Sequence, residues 1–141
     1  MKKSAWLILI SFVLLSCASE KHIVDAIVTQ NDEIEAVARK LFKRDFTEAL
    51  YSIDEIKDDV SKKEMRLLKD RLKCEDIFLI YDKDSLSIAD SLVVFTRGGT
   101  WDKEHTIVVD MRKKPRQSLP YGLMNLKGRV YYRNVKSTIK Y

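Results

Sequence analysis

The fold of this chain is decided by residues 91–97, which read SLVVFTR. The stretch is rich in branched and aromatic residues and lies between polar and glycine-containing segments, a pattern typical of a β-strand. Three other stretches have the same character, namely residues 77–81 (IFLIY), 106–112 (TIVVDMR) and 129–133 (RVYYR). In TIVVDMR the apolar side chains of Ile107, Val109 and Met111 alternate with polar ones at Asp110 and Arg112, which predicts a half-buried strand.

The chain before these strands has helical periodicity instead. From Asn31 onward one apolar stripe recurs at helical spacing, and it consists of Ile34, Val37, Ala38, Leu41 and Phe42. Asn31 or Asp32 is expected to cap the start of this helix. A weaker pattern over residues 46–56 predicts a second short helix. A capping box at residues 61–64 (SKKE), in which a serine and a glutamate each bond the other's backbone N–H, predicts a third.

Helices followed by strands predict an α+β fold, in which two to three N-terminal helices pack on a four-stranded antiparallel meander sheet. The apolar face of such a sheet needs this cover, because an isolated hairpin is only marginally stable in water. We expect residues 31–141 to form one domain of this kind, since a chain of that length can bury a sizeable core.

The start of the chain has a pattern of a different kind. Residues 1–3 (MKK) are mostly basic, and residues 6–15 (WLILISFVLL) are apolar at all positions but one. A basic start, a short apolar run and a small residue before a cleavage site describe a secretory signal peptide, whereas a membrane-spanning helix needs about 20 apolar residues. Residues 14–17 (LLSC) resemble the lipobox of bacterial lipoproteins.

This resemblance implies that the chain is cut before Cys17 and anchored to a membrane by lipid. A diacylglyceryl group would modify the sulfur, and an acyl chain such as palmitate the new amino group. Residues 1–16 are then the signal peptide and residues 17–30 a lipidated tether. No acidic residue directly follows Cys17, which by the sorting rules of such lipoproteins favours the periplasmic side of the outer membrane. The alternatives are an ordinary cleaved signal with an incidental cysteine, or an uncleaved anchor.

Cysteine usage has a consequence for stability. With Cys17 lipidated, Cys74 stands alone, so no internal disulfide is expected and the domain must be stable through packing. Because Cys74 ends a helical pattern, we expect it to be a partly buried apolar residue rather than a reactive thiol.

Charge is distributed unevenly along the chain. Residues 31–76 contain 13 acidic and 11 basic side chains, whereas residues 97–141 contain 3 acidic and 11 basic ones. A basic half can bind nucleic acid, but an envelope location excludes that partner. Besides the membrane that holds the anchor, the expected partners are an anionic glycolipid or an acidic envelope protein.

The candidate binding surface combines arginine with aromatic residues. Alternation along the last strand places Tyr131 and Arg133 on one face, and Arg112 and Arg129 complete the set. The alternative is a solvated basic face that only aids solubility, with the aromatic rings covering the sheet under the helices.

No catalytic site, cofactor or metal site is predicted. His22 and His105 lack a second ligand at metal-binding spacing, and neither a nucleophile elbow nor a phosphate loop is present. We expect His105 to be a surface strand residue. Residues 82–90 (DKDSLSIAD) space oxygen atoms as a calcium loop does, but Ser87 stands where that loop needs glycine, so a hairpin turn is expected.

Residues 90–133 resemble a type of small, uncharacterised lipoprotein of Gram-negative bacteria. The shared pattern is LVVF at 92–95, the glycine pair at 98–99, TIVV at 106–109, KKP at 113–115 and LKGRVYY at 126–132. The usual tryptophan-like ending of that type is replaced here by Val130 and Tyr131, and the resemblance implies no activity. The leading hypothesis is a non-enzymatic envelope lipoprotein that binds a partner. A small envelope enzyme and a structural subunit of an envelope complex are the alternatives.

Overall fold

The computed structural model describes residues 21–43, 50–80, 91–97, 105–119 and 122–134. Within these ranges the fold is α+β, with three helices and a six-stranded antiparallel sheet, so the predicted fold class is confirmed. In chain order the elements are α1 (21–29), α2 (Asn31–Phe42), β1 (Leu50–Ser52), a 3-10 turn (Ile53–Ile56), α3 (Lys62–Arg66), a π-helical turn (Leu67–Arg71), β2 (Asp76–Ile80), β3 (Leu92–Thr96), β4 (His105–Asp110), β5 (Met124–Lys127) and β6 (Val130–Asn134).

The strands lie in the order β1-β2-β3-β4-β6-β5, and every neighbouring pair is antiparallel. The four predicted strands correspond to β2, β3, β4 and β6, which lie side by side, so the middle of the sheet is as expected. β1 and β5 extend the sheet at its two edges and were not predicted. Because β5 lies outside β6, the chain after β4 must pass over the sheet before it pairs again.

The predicted second helix is wrong for the part of it that the structure describes. Residues 50–52 form β1, which pairs with β2, and the residues after it make one 3-10 turn. Ile53 and Ile56, which suggested a helix, are both buried because their spacing of three also places them on one side of a 3-10 turn. Residues 44–49 lie outside the described ranges.

Residues 21–29 are helical and are not part of a tether, in contrast to the expected boundary at residue 30. Ile23, Ala26 and Ile27 fall at helical spacing and are buried in the main core. Burying an aliphatic side chain of this kind contributes about 1.5–3 kcal/mol, which is sufficient reason for the segment to dock.

The helices cover one face of the sheet. Apolar side chains of α1, α2 and the π-helical turn meet inward-facing residues of the central strands, which are Val93, Phe95, Ile107, Val109, Val130 and Tyr132. The capping box predicted at Ser61 and Glu64 is confirmed, with each side chain bonded to the other residue's backbone N–H. None of the helices in the described ranges is long and apolar enough to cross a bilayer.

The other face of the sheet is also covered, and this makes the half-buried prediction for β4 wrong. All six residues of β4 are buried. Leu119 and Leu123, from the connection between β4 and β5, pack with Val94, Val108 and Tyr131 in a second apolar cluster. The sheet is therefore a middle layer, with helices on one side and an irregular segment on the other.

Candidate functional site

The irregular segment after β4 is held in place by a buried carboxylate. Asp110 ends β4 with a fully buried side chain. One of its oxygens accepts the backbone N–H of Arg112 at 3.0 Å, and the other accepts the backbone N–H of Arg116 at 2.9 Å. The Arg116 guanidinium lies 3.4 Å from the same second oxygen. A buried carboxylate is tolerated only when it is paired and hydrogen-bonded in this way, so Asp110 has a structural role.

Arg129 joins this segment to the β5–β6 turn. Its guanidinium donates to the backbone oxygen of Asp110 at 3.1 Å, to that of Arg112, and to that of Lys113 at 3.4 Å. On the helical side, Glu35 of α2 accepts the Arg129 backbone N–H at 3.4 Å and lies 4.0 Å from its guanidinium. The Arg129 side chain is thus used to assemble the fold.

Tyr131 is fully buried in the second apolar cluster, so its ring is not part of an exposed surface as the candidate set required. Its hydroxyl donates to the backbone oxygen of Arg116. Burial, together with the negative charge of Asp110, raises the pKa of Tyr131 and keeps the hydroxyl protonated as a donor. The alternation that placed Tyr131 and Arg133 on the face opposite Val130 is nevertheless as expected, because β6 is a regular strand.

The structure therefore separates the four candidate surface residues. Arg112, Arg129 and Tyr131 meet around Asp110 at one end of the sheet, and the Arg112 side chain is partly exposed there. Arg133 is also partly exposed but lies toward the opposite end of β6, where it pairs in register with Thr106. The four residues do not form one continuous binding face.

Exposed lysines that the candidate set did not include lie at the Asp110 end. Lys113, Lys114 and Lys127 are exposed, and their side chains make no ion pair with any residue in the described ranges. We call these three lysines the basic end of the sheet. Arg129 brings Lys113 and the turn after Lys127 together. The sequence signal was present, because residues 111–134 contain seven basic and no acidic side chains.

His105 is buried and is not a surface residue as expected. It begins β4, where Nδ1 lies 2.7 Å from the Tyr132 hydroxyl on the helix-covered face. Cys74 is buried in the main core, which confirms its apolar role, and burial raises the pKa of its thiol. Within the described ranges no group of three or more His, Cys, Asp or Glu side chains is placed to hold a metal ion. Cys17 and residues 82–90 lie outside those ranges.

Comparison of the chain with family models, with curated proteins and with solved structures finds no match.

Proposed function

We propose that this protein is a lipid-anchored, non-enzymatic binding module of the bacterial cell envelope. Its anchor is Cys17, and its ligand is the anionic headgroup surface of the bilayer in which the anchor sits, on the periplasmic side of the outer membrane. The observation that carries the proposal is the basic end, where Lys113, Lys114 and Lys127 are exposed without acidic partners among the described residues.

The position of α1 supports a bilayer ligand over a distant one. The described part of α1 begins at residue 21, so the chain from Cys17 to α1 can extend at most about 14 Å. The nine residues of α1 add about 13 Å. Asn31, immediately beyond them, donates its side-chain amide to the backbone oxygen of Lys127 at 3.1 Å. With the Asn31 side chain and its hydrogen bond included, the Lys127 backbone oxygen lies at most roughly 40 Å from Cys17, so an anchor at Cys17 would keep the basic end near the bilayer.

The acyl anchor and the basic-end lysines would each contribute to the free energy of membrane binding. Each buried methylene of an acyl chain contributes about 0.8 kcal/mol, and stable anchoring takes more than one such signal. A lysine near an anionic membrane surface contributes about 1 kcal/mol, an attraction that decays within a Debye length. Three lysines would not hold the protein on a bilayer alone, but they would orient a domain that lipid already holds there.

Amine labelling tests this orientation. The full chain, isolated from bacterial membranes, is reconstituted in vesicles with or without anionic lipid and treated with an acetylating reagent. We expect Lys113, Lys114 and Lys127 to be acetylated about threefold more slowly on anionic vesicles, because the headgroups compete for the ammonium groups. High salt should remove the difference.

Lys57 and Lys73 are exposed and follow the 3-10 turn and the π-helical turn, respectively; they are internal controls and should label equally on both kinds of vesicle. Equal labelling of the three basic-end lysines on both vesicles would contradict headgroup contact and would favour an acidic envelope protein as the ligand of this surface.

A further inference from the structure

A second charged feature lies in the helical layer, and none of its lining residues belongs to the basic end. Between the start of α2 and the helix–π segment 62–71 the surface opens into a cleft of about 600 Å³. Small-molecule sites in proteins typically measure about 300–1,000 Å³. The cleft is lined by Glu33 on one side and mostly by charged residues of segment 62–71 on the other.

The wall of this cleft is made by an unusual piece of backbone. After one turn of α-helix the chain widens into a π-helical turn over Leu67–Arg71, closed by a bond of 3.0 Å from the Leu72 N–H to the Leu67 oxygen. Because the i to i+5 bond enlarges the turn, residues five positions apart return to nearly the same side. Arg66 and Arg71 thus line one cleft together. Such turns are rare and occur frequently at functional sites.

The cations of this wall are not neutralised within the protein. Lys62, Arg66 and Arg71 are exposed and make no ion pair with any described residue. Glu33, the acid across the cleft, is already paired with Lys63 at 2.6 Å. Asp70 then remains as the one unpaired acid among the described lining residues, and three cations against one carboxylate leave a net charge of +2. This contrasts with residues 31–76 as a whole, which are net acidic.

We propose that this cleft binds a small hydroxylated phosphate monoester. A phosphate monoester carries about −1.5 to −2 charges at pH 7, which matches the net charge of the cleft. An arginine guanidinium can donate two parallel hydrogen bonds to two oxygens of one phosphate, whereas a lysine ammonium acts as a point charge. The Asp70 carboxylate can accept a hydrogen bond only from the ligand's organic part, such as a hydroxyl, and the volume leaves space for that part. This site shares no residue with the basic end and does not depend on the function proposed for it.

Equilibrium dialysis of the detergent-solubilised full chain against radiolabelled glycerol 3-phosphate tests the proposal. We expect saturable binding of one molecule per chain, with inorganic phosphate competing more weakly because it lacks a carbon-bound hydroxyl. Lys62→Gln, Arg66→Gln and Arg71→Gln should each weaken binding roughly fivefold, as expected for losing one solvent-exposed charge pair. All three positions are exposed, and circular dichroism would verify that the variants fold.

Lys57→Gln, which removes an exposed lysine outside the cleft, is the matched control and should leave binding unchanged. Absence of saturable binding by the unmodified chain, or an equal loss in the Lys57 variant, would overturn the proposal. The same cleft variants should leave the vesicle-dependent labelling of Lys113, Lys114 and Lys127 unaltered. If they altered it, the cleft would be contacting bilayer phosphate, and a site for a soluble monoester would be ruled out.

Discussion

At the scale of single residues, the Asp110 side chain holds the backbone of the segment that follows β4. Its two oxygens fix the N–H groups of Arg112 and Arg116, and Arg116 in turn accepts the Tyr131 hydroxyl on its own backbone oxygen. The segment that covers the second face of the sheet is thereby tied to the end of β4. Removing one partner of a buried pair leaves the other group without compensation, which is more costly than the net value of the pair itself.

We therefore expect Asp110→Asn to lower the free energy of unfolding by about 3 kcal/mol. An amide keeps the shape of the carboxylate but presents N–H donors toward the donors of Arg116. Urea unfolding followed by circular dichroism measures the effect. Asp58→Asn, at an exposed position, is the control and should stay within about 0.5 kcal/mol. A similarly small effect at Asp110 would show that its bonds do not stabilise the fold.

At the scale of elements, the clearest local device is the capping box that starts α3. The Glu64 carboxylate accepts the Ser61 backbone N–H. Each of its two oxygens also accepts a hydrogen bond of 2.7 Å from the Lys40 ammonium group of α2. Burial alone would raise the pKa of Glu64, but the bonds from Lys40 and Ser61 outweigh it and lower the pKa below its ordinary value. The same carboxylate thus caps one helix and joins it to another.

Because the pKa of Glu64 is lower in the folded state, its charge stabilises the fold above the unfolded pKa of about 4.3. That stabilisation is lost as pH falls through the lower folded pKa. We expect Glu64→Gln to cost about 1 kcal/mol at pH 7 and nothing well below pH 4. Urea unfolding at several pH values measures this. Lys40→Gln should cause the same loss at pH 7, and the double variant little more. Additive losses would contradict a direct Lys40–Glu64 interaction.

Local signals of this kind are the part of the fold that the sequence predicts well. The capping box depends only on Ser61 and Glu64, and strand β3 only on a run of branched and aromatic residues, so the predictions of both are confirmed. β1 and β5 have three and four residues, which is too short for any periodicity to be distinctive. Helix α1 has the helical spacing of Ile23, Ala26 and Ile27, and these side chains are buried in the main core, which stabilises the helix.

The candidate site depends on contacts that are distant in the sequence, and this limited its prediction. Asp110 looked like the polar side of a half-buried strand, because nothing local indicates that residues 111–119 fold back over β4. Tyr131 was predicted to lie on an exposed surface for the same reason, because nothing local indicates that Leu119 packs with it. By contrast, Lys113, Lys114 and Lys127 could have been selected from the run of 24 residues without an acid, residues 111–134.

At the scale of the whole molecule, the sheet is covered on both faces and the domain has no disulfide in its described part, so its stability rests on packing. Cys74 reports on that packing. It lies between the π-helical turn and β2, is 5% exposed and belongs to the main core. Burial raises the pKa of its thiol, so the reactive thiolate is scarce until the core opens.

Thiol labelling can therefore measure opening of the core and test the anchor in the same sample. For the membrane-isolated chain we expect one reactive thiol in urea, that of Cys74, because lipidation removes the thiol of Cys17; two thiols would contradict the lipid anchor.

In native buffer the labelling rate of Cys74 should give an opening free energy within about 1 kcal/mol of the global value from urea unfolding. Val28→Cys, at a position 40% exposed on α1, should label at once. A much smaller opening free energy at Cys74 would mean that the π-helical turn separates from the sheet without global unfolding, since the Cys74 backbone N–H is bonded to Leu68 of that turn at 2.9 Å.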